Sequence, residues 1–328
     1  MSRRITFSEA LREAMAEEMS RDPAVFVMGE DVGAFGGVFG VTAGLHAEFG
    51  DERVRDTPIS EQGIVGAGLG AALVGMRPIV EVMFADFVTV AMDQVVNQAA
   101  KARYMSGGKA NVPLTIRIVN GAPGSAAAQH SQSPEGWFMN VPGLKIVIPA
   151  TPYDAKGLLK TAIRGEDPVL FFEHKMLYAT KGEVPEEHYT IPFGQAAIRR
   201  PGSEATLVAL GGVLPKVMEA AQQLAARGLE VEVIDPRTLV PLDTEALVES
   251  LKKTHRAIIV HEAHRRAGPG AEIAAILAEL AIGYLDAPIL RVATKNVPFP
   301  YHPELENYIL PKVDDIVQAV EGAVKYQL

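Results

Sequence analysis

The segment Asp56–Phe84, DTPISEQGIVGAGLGAALVGMRPIVEVMF, contains the choice on which the fold turns. Its middle, Gln62–Met76, carries no charge and is mostly small and apolar, whereas RPIVEVMF (Arg77–Phe84) is a short apolar run of strand type. Inside the first part, Gly66-Ala67-Gly68-Leu69-Gly70-Ala71 fits the dinucleotide pattern G-x-G-x-x-G/A. That pattern needs a strand directly before it, with the first glycine in the strand-to-helix turn. Here the polar PISEQ (58–62) comes first, so the glycines lie within a helix, where small residues let it approach another backbone closely. The segment reads as a helix followed by a strand, with one acid, Glu61, at the helix mouth.

Outward from this unit the alternation continues. Before it come a helix over Thr6–Met19, with Leu11, Met15 and Met19 on one face, a strand AVFVMG (Ala24–Gly29) and a Gly-rich loop. After it come a buried helix over Phe87–Tyr104, strands Leu114–Val119 and Lys145–Pro149, a helix opened by Thr151 and Pro152, and the strand Pro168–Glu173. A stretch without periodicity, rich in Gly and Pro, follows from about Leu177 to Gly202. Strands and helices then alternate again through ATLVAL, EVEVID, AIIVHE and PILRVA. Apolar strands separated by helices imply parallel sheets covered on both faces. The expectation is an α/β protein of two domains, 1–180 and 201–328, joined by a connection over 181–200.

Composition narrows the function classes. A chain of 328 residues exceeds one typical domain. The uncharged run Gln62–Met76 falls short of the ~20 residues of a membrane span, and MSRRITFSEALREAM enters a helical pattern without an apolar signal region. With no Cys, disulfides and thiolate metal sites are excluded. A net charge of −9 argues against a nucleic-acid surface and permits a basic protein partner. A cytoplasmic location is expected.

Two residues stand out chemically. Ser60 can cap the helix and Glu61 suits the helix dipole, which is a structural reading of both. A carboxylate among apolar neighbours also has its ordinary ~4.3 raised by desolvation, so that it can share a proton near neutrality. In AAAQHSQSPEGWF (Ala126–Phe138), Ser133 looks like an N-cap with Pro134 in the first turn, which leaves His130 on the loop before a helix. There the imidazole can be a solvated loop residue or a proton carrier facing a cleft. His261 and His264, three apart in VHEAHRRAG, have metal-like spacing but no third ligand nearby.

The motifs GEDVGAFGGVFGVTAGL, DTPISEQGIVGAGLGAAL, AAAQHSQSPE, ATPYDAKGLL, FFEHKMLY and PRTLVPLD occur in that order over nearly the whole chain. Together they resemble the beta subunit of the thiamin-diphosphate-dependent decarboxylase of 2-oxo acid dehydrogenase complexes, of pyruvate or acetoin type. The resemblance implies a pyrimidine-binding domain followed by a transketolase C-terminal-like domain. It implies that Glu61 hydrogen-bonds a ring nitrogen of the cofactor's aminopyrimidine, favouring the tautomer that deprotonates the thiazolium carbon. His130 would transfer protons during acyl handover to lipoyl sulfur. Ile59, Met83 and Phe87 would pack around the aminopyrimidine, and Glu30 and Asp93 would line a proton path between paired sites. The diphosphate motif G-D-G followed by Asn is absent, so Mg2+ would be held by an alpha subunit in an α2β2 assembly docked on a lipoyl acyltransferase core. A potassium ion is implied at Leu114, Ala162, Ile163, Gly165 and Asp167, although RGEDP (Arg164–Pro168) replaces the family's usual RDNNP and so loses a side-chain ligand at Gly165. Rival readings are a branched-chain 2-oxo acid dehydrogenase beta subunit, a split transketolase half and a non-catalytic nucleotide-binding protein.

Overall fold

In the computed structural model, which describes residues 2–326, two parallel-dominated sheets lie in sequence along the chain. The first half contributes strand β1 (Ser2–Thr6), helix α1 (Phe7–Arg21), β2 (Val25–Gly29), α2 (Leu45–Phe49), β3 (Val54–Asp56), α3 (Glu61–Leu73), β4 (Arg77–Val82), α4 (Ala100–Met105) and β5 (Thr115–Asn120). It continues through α5 (Glu135–Met139), β6 (Lys145–Val147), α6 (Pro152–Arg164), β7 (Val169–His174) and β8 (Lys181–Pro185). The second half holds β9 (Ala197–Arg200), β10 (Thr206–Ala209), α7 (Leu214–Ala225), β11 (Glu232–Asp235), β12 (Thr238–Val240), α8 (Thr244–Thr254) and β13 (Ala257–His264). The helix α9 (Pro269–Ala281), strand β14 (Leu290–Thr294) and helices α10 (Pro303–Ile309) and α11 (Val313–Val324) complete it.

Local chemistry starts the helices where expected. Thr6 and Glu9 exchange bonds at the start of α1: the Thr6 hydroxyl accepts from the Glu9 N–H at 3.1 Å, and the Glu9 carboxylate accepts from the Thr6 N–H at 2.7 Å. Thr151 does the same duty for α6, accepting from the Asp154 N–H at 3.2 Å. The glycines of α3 are packing devices. A Cβ on Gly68 would stand 2.6 Å from Val80 Cγ1 on β4, so only glycine lets the helix lie this close to the sheet.

The first sheet has the order β12-β6-β7-β5-β4-β2-β3, and all its strands are parallel except β12 at the edge. The second sheet has the order β14-β13-β10-β11-β9, with β9 antiparallel at its edge. The stretch 181–200 is not bare connection: β8 pairs with β1 in a two-stranded ribbon, and β9 opens the second sheet. Both are edge strands, half exposed, and so lack the continuous apolar signal of a central parallel strand. β12, contributed by the second half, closes the first sheet by pairing with β6. Side chains of both halves share one core, in which Leu170 and Phe172 meet Ile234 and Leu239.

The segment 87–104 departs from the single helix read in the sequence. It consists of a 3-10 turn (Ala85–Thr89), a π-helical turn (Gln94–Ala99) and then α4. The Thr89 hydroxyl donates to the Asp86 carbonyl at 2.8 Å, the local competition by which Thr disfavours regular helix.

A charged group lies at the centre of the first sheet. Arg117 on β5, fully buried, donates to Glu81 on β4 at 2.6 Å and to both carboxylate oxygens of Glu173 on β7 at 2.6 and 2.7 Å. Tyr178 donates its hydroxyl to Glu173 at 2.9 Å. Burial raises the Glu81 carboxyl despite the adjacent guanidinium.

Candidate active site

Because β2, β4, β5 and β7 run parallel, their C-terminal ends lie along one edge of the sheet, the edge at which open α/β sheets hold ligands. β2 delivers Glu30 there, β4 delivers Met83, Phe84 and Phe87, β5 leads into the loop that carries His130, and β7 leads into Lys175. β3 runs beside β2 and ends at the same edge, so α3 begins there. The Thr57 N–H donates to the Gly29 carbonyl at 2.9 Å, tying the approach of α3 to the end of β2.

Glu61 is the first residue of α3, and its side chain is only 7 % exposed. Ser60 caps the helix as expected, its hydroxyl accepting from the Gly63 N–H at 3.3 Å. The Glu30 carboxyl is raised first by burial and then by the charges of Glu61, Asp31 and Glu81, so Glu30 and Glu61 share one field. Glu30 Oε1 is buried without a partner, an acceptor turned into this edge.

The imidazole of His130 stands edge-on against two rings, with centroids 4.7 Å from Phe84 and 5.2 Å from Phe87. Phe84 and Phe87 are themselves 5.8 Å apart. Lys175 Nζ donates to the His130 carbonyl at 2.8 Å, and Gln132 donates through Nε2 to Asp86 at 2.7 Å. Met83 and Phe87 are half-buried, while Ile59 is 82 % exposed beside Ser60 and Glu61. An aminopyrimidine requires a carboxylate at a ring nitrogen and apolar faces on either side. Glu61 and the Phe84–Phe87–His130 group at the same edge offer such a carboxylate and one such apolar face. Asp93 does not join this group through any described hydrogen bond; its carboxylate accepts from Asn97 and Gln98 in its own helical segment.

Phe84, Lys175, Asp86 and Gln132 are the members that sequence reading missed. Phe84 and Lys175 could have been suspected, since each follows the C-terminal end of an apolar parallel strand. Asp86 and Gln132 leave no local signal. The loop before α5 also differs in detail, because the Ser133 hydroxyl is buried without a partner and caps nothing.

The potassium donor set is engaged by the chain's own cations. Arg77 Nη1 donates to the carbonyls of Ile163 at 3.1 Å and Gly165 at 2.9 Å, while Nη2 pairs with Glu166. Asp167 pairs with Arg103 at 2.7 Å and Lys145 at 2.9 Å. The Leu114 and Ala162 carbonyls accept from the Val169 and Gly165 N–H groups. A further cation on these oxygens would face two guanidinium groups and an ammonium, so the set does not fit potassium.

The histidine pair is a core feature. His261 is fully buried, and Cβ atoms on Gly268 and Gly270 would stand 2.8 and 2.7 Å from its ring. His264 instead bonds the Lys295 carbonyl through Nδ1 at 2.9 Å. Among the described residues no group of three His, Cys, Asp or Glu is placed to hold a metal ion. Burial pushes the His261 imidazole down to about 4. An unfolded histidine titrates near ~6.5, so the unfolded chain binds the extra proton between these values and His261 contributes stability above pH ~6.5 that is lost as pH falls toward 4. We expect His261→Asn to lose about 2 kcal/mol less stability than the wild type between pH 7 and pH 5. Urea midpoints at the two pH values check this; parallel losses in both proteins would contradict it.

Comparison with known proteins follows the same lines. The family description "Transketolase, pyrimidine binding domain" matches residues 3–181, and "Transketolase, C-terminal domain" matches residues 194–316. The chain is 52% identical over 329 residues to the acetoin:2,6-dichlorophenolindophenol oxidoreductase subunit beta of Bacillus subtilis (strain 168), covering 97% of this chain and 96% of that one. It is 48% identical to the pyruvate dehydrogenase E1 component subunit beta of Rhizobium meliloti (strain 1021), covering 97% of this chain and 69% of that one. It is 46% identical to the 2-oxoisovalerate dehydrogenase subunit beta of Bacillus subtilis (strain 168), covering 98% and 99%. A solved structure described as a split gene transketolase, inactive beta4 tetramer, shares the fold with a TM-score of 0.82 at 24% identity, covering 99% of each chain. Among the described residues no helix is long and apolar enough to cross a membrane.

Proposed function

Given that the chain belongs to the beta subunits of the thiamin-diphosphate-dependent E1 components of pyruvate, acetoin and branched-chain 2-oxo acid dehydrogenase complexes, we propose that it supplies the aminopyrimidine half of a site completed by an alpha subunit. The reaction we assign is oxidative decarboxylation of pyruvate, or cleavage of acetoin, with acyl transfer to lipoyl groups. The observation that carries the assignment is the buried Glu61 carboxylate at the same sheet edge as the aromatic group of Phe84, Phe87 and His130.

The cofactor supplies the electron sink for the carbon–carbon cleavage. This chain's part is to hold and move protons around it. Glu61, kept from water at the start of α3, would hold the cofactor's aminopyrimidine by accepting a hydrogen bond from its protonated ring nitrogen, keeping the proton there. Its neighbour Glu30, raised by burial and by the Glu61 charge, is placed to hold a proton in reserve. Phe84 and Phe87 exclude water from one side, and Lys175 holds the backbone at His130 so that the ring faces the same edge. Mg2+ and the diphosphate are assigned to the alpha subunit, in an α2β2 assembly that works in the cytoplasm on a lipoyl acyltransferase core. The pyruvate or acetoin lean rests on Met83 and Phe87, which put no polar group where branched-chain members tend to carry Gln and Tyr. No part is assigned to potassium.

A tagged pull-down from source cells tests the assignment. The recovered complex is assayed with magnesium and thiamin diphosphate against pyruvate, acetoin and 2-oxoisovalerate. Turnover with a co-purifying partner chain supports it; preference for 2-oxoisovalerate would move it to the branched-chain reading. A chain that recovers no partner and binds no thiamin cofactor would overturn it. In the active complex, His130→Ala is expected to lower acyl transfer to lipoamide about a hundredfold, the usual scale of a lost proton carrier, while decarboxylation read with an artificial electron acceptor falls far less. Equal losses in the two assays would place His130 earlier in the reaction.

A further inference from the structure

The loop that joins β5 to α5 holds non-glycine residues in a conformation that something must enforce. Ser125 has φ of 51° and Ala127 of 65°, both in the left-handed region that L side chains avoid. Such residues persist where the surroundings over-determine them, and they cluster at functional sites. Here the surroundings come from the second half of the chain. Glu306 on α10, 1 % exposed, accepts from both the Gly124 N–H at 3.1 Å and the Ser125 N–H at 3.0 Å through one carboxylate oxygen, Oε2. Glu262 on β13, also buried, accepts from the Ala122 N–H at 2.5 Å and meets His174 Nε2 at 3.0 Å. Phe299, Ile309 and Leu310 pack against Ala122. The charges of Glu262, Glu306 and Asp86 also bear on Lys175, which grips the His130 carbonyl at the far end of the loop.

We propose that Glu306, with Glu262 as a second anchor, is a positioning residue: the C-terminal domain sets the backbone of the loop that presents His130. This gives that domain a part in the chemistry. Two N–H donors converge on one side-chain oxygen, which has the lone pairs to accept both. The proposal rests on the functional reading above for what His130 does, but the anchoring can be measured without it.

The test compares wild type, Glu306→Ala and Glu306→Gln as full-length chains in the complex with the alpha subunit. Amide hydrogen exchange of the peptide covering 121–130 is expected to speed up in Glu306→Ala, with exchange in α1 and α6 unchanged. Acyl transfer to lipoamide is expected to fall about tenfold or more, as small misplacements of a reacting group do, while turnover with an artificial electron acceptor is nearly retained. Glu306→Gln, whose amide carbonyl can still accept both N–H bonds, should recover most of the transfer rate and the exchange protection. Unchanged exchange at 121–130 in Glu306→Ala would remove the anchor. Faster exchange with unchanged acyl transfer, or a Gln variant as impaired as Ala, would overturn the positioning role. Absence of 2-oxo acid or acetoin turnover in the wild-type complex would instead strike the functional reading, with the exchange result still deciding the anchor.

Discussion

Glu61→Gln is expected to leave the chain folded and assembled while lowering turnover about a thousandfold, within the range of a lost acid–base group. The substitution preserves shape at the first position of α3, and Ser60 still caps Gly63. The lost helix-dipole interaction is worth up to about 2 kcal/mol at a buried helix start, and removing a charge from a buried position offsets it. On the proposed assignment the substitution removes the anionic acceptor for the cofactor's protonated ring nitrogen, since an amide cannot hold that charge. A second consequence is local: Glu30 loses the Glu61 charge that helps raise its carboxyl, so its titration should move down toward the ordinary range. Turnover of the assembled complex, circular dichroism and size exclusion together check the result. Near wild-type turnover in an intact assembly would sink the assignment of Glu61.

Arg117→Met should act on the fold instead. Arg117 lies between Glu81 and Glu173, which are 5 % and 0 % exposed, and its removal leaves two carboxylates close together without a counter-charge. Breaking a buried pair by deleting one partner costs about 3–5 kcal/mol. The expected outcome is a large drop in the urea midpoint and poor recovery of folded chain at neutral pH. Because Glu81 already has a raised carboxyl, lowering the pH should protonate it and narrow the gap to wild type. Replacing all three by Met, Gln and Gln should restore much of the loss, because no unpaired charge then remains. An unchanged midpoint in Arg117→Met would mean that water or rearrangement relieves the two acids.

Much of the architecture is legible in the order of residues. Largely apolar runs such as Arg77–Val82 and Val169–His174 declare parallel strands, because burial on both faces removes regular polar alternation. Thr6, Ser60, Thr151 and Asp243 mark helix starts through bonds to their own next turn, which is local chemistry. Glu61 was visible for the same reason, as one acid at the mouth of an uncharged helix.

The rest required distance in sequence to become proximity in space. His130 is a loop histidine until Phe84 and Phe87, more than forty residues earlier, close on it. The His261–His264 pair has metal-like spacing without a third ligand, and a strand turns successive side chains to opposite faces while their irregular end separates their partners, so one ring enters the core and the other bonds a loop carbonyl. Arg77 met the potassium carbonyls only because β4 passes the end of α6. The edge strand β12 and the Glu306 anchor likewise join residues nearly a hundred or more apart. Sequence by itself determined the central strands and most helices, their parallel sense and the acid at the start of α3, since these depend on periodicity and nearest neighbours. Tertiary structure alone decided which charges meet, because a carboxylate or guanidinium pairs with whatever the packed sheets bring within about 3 Å, and no local pattern records that.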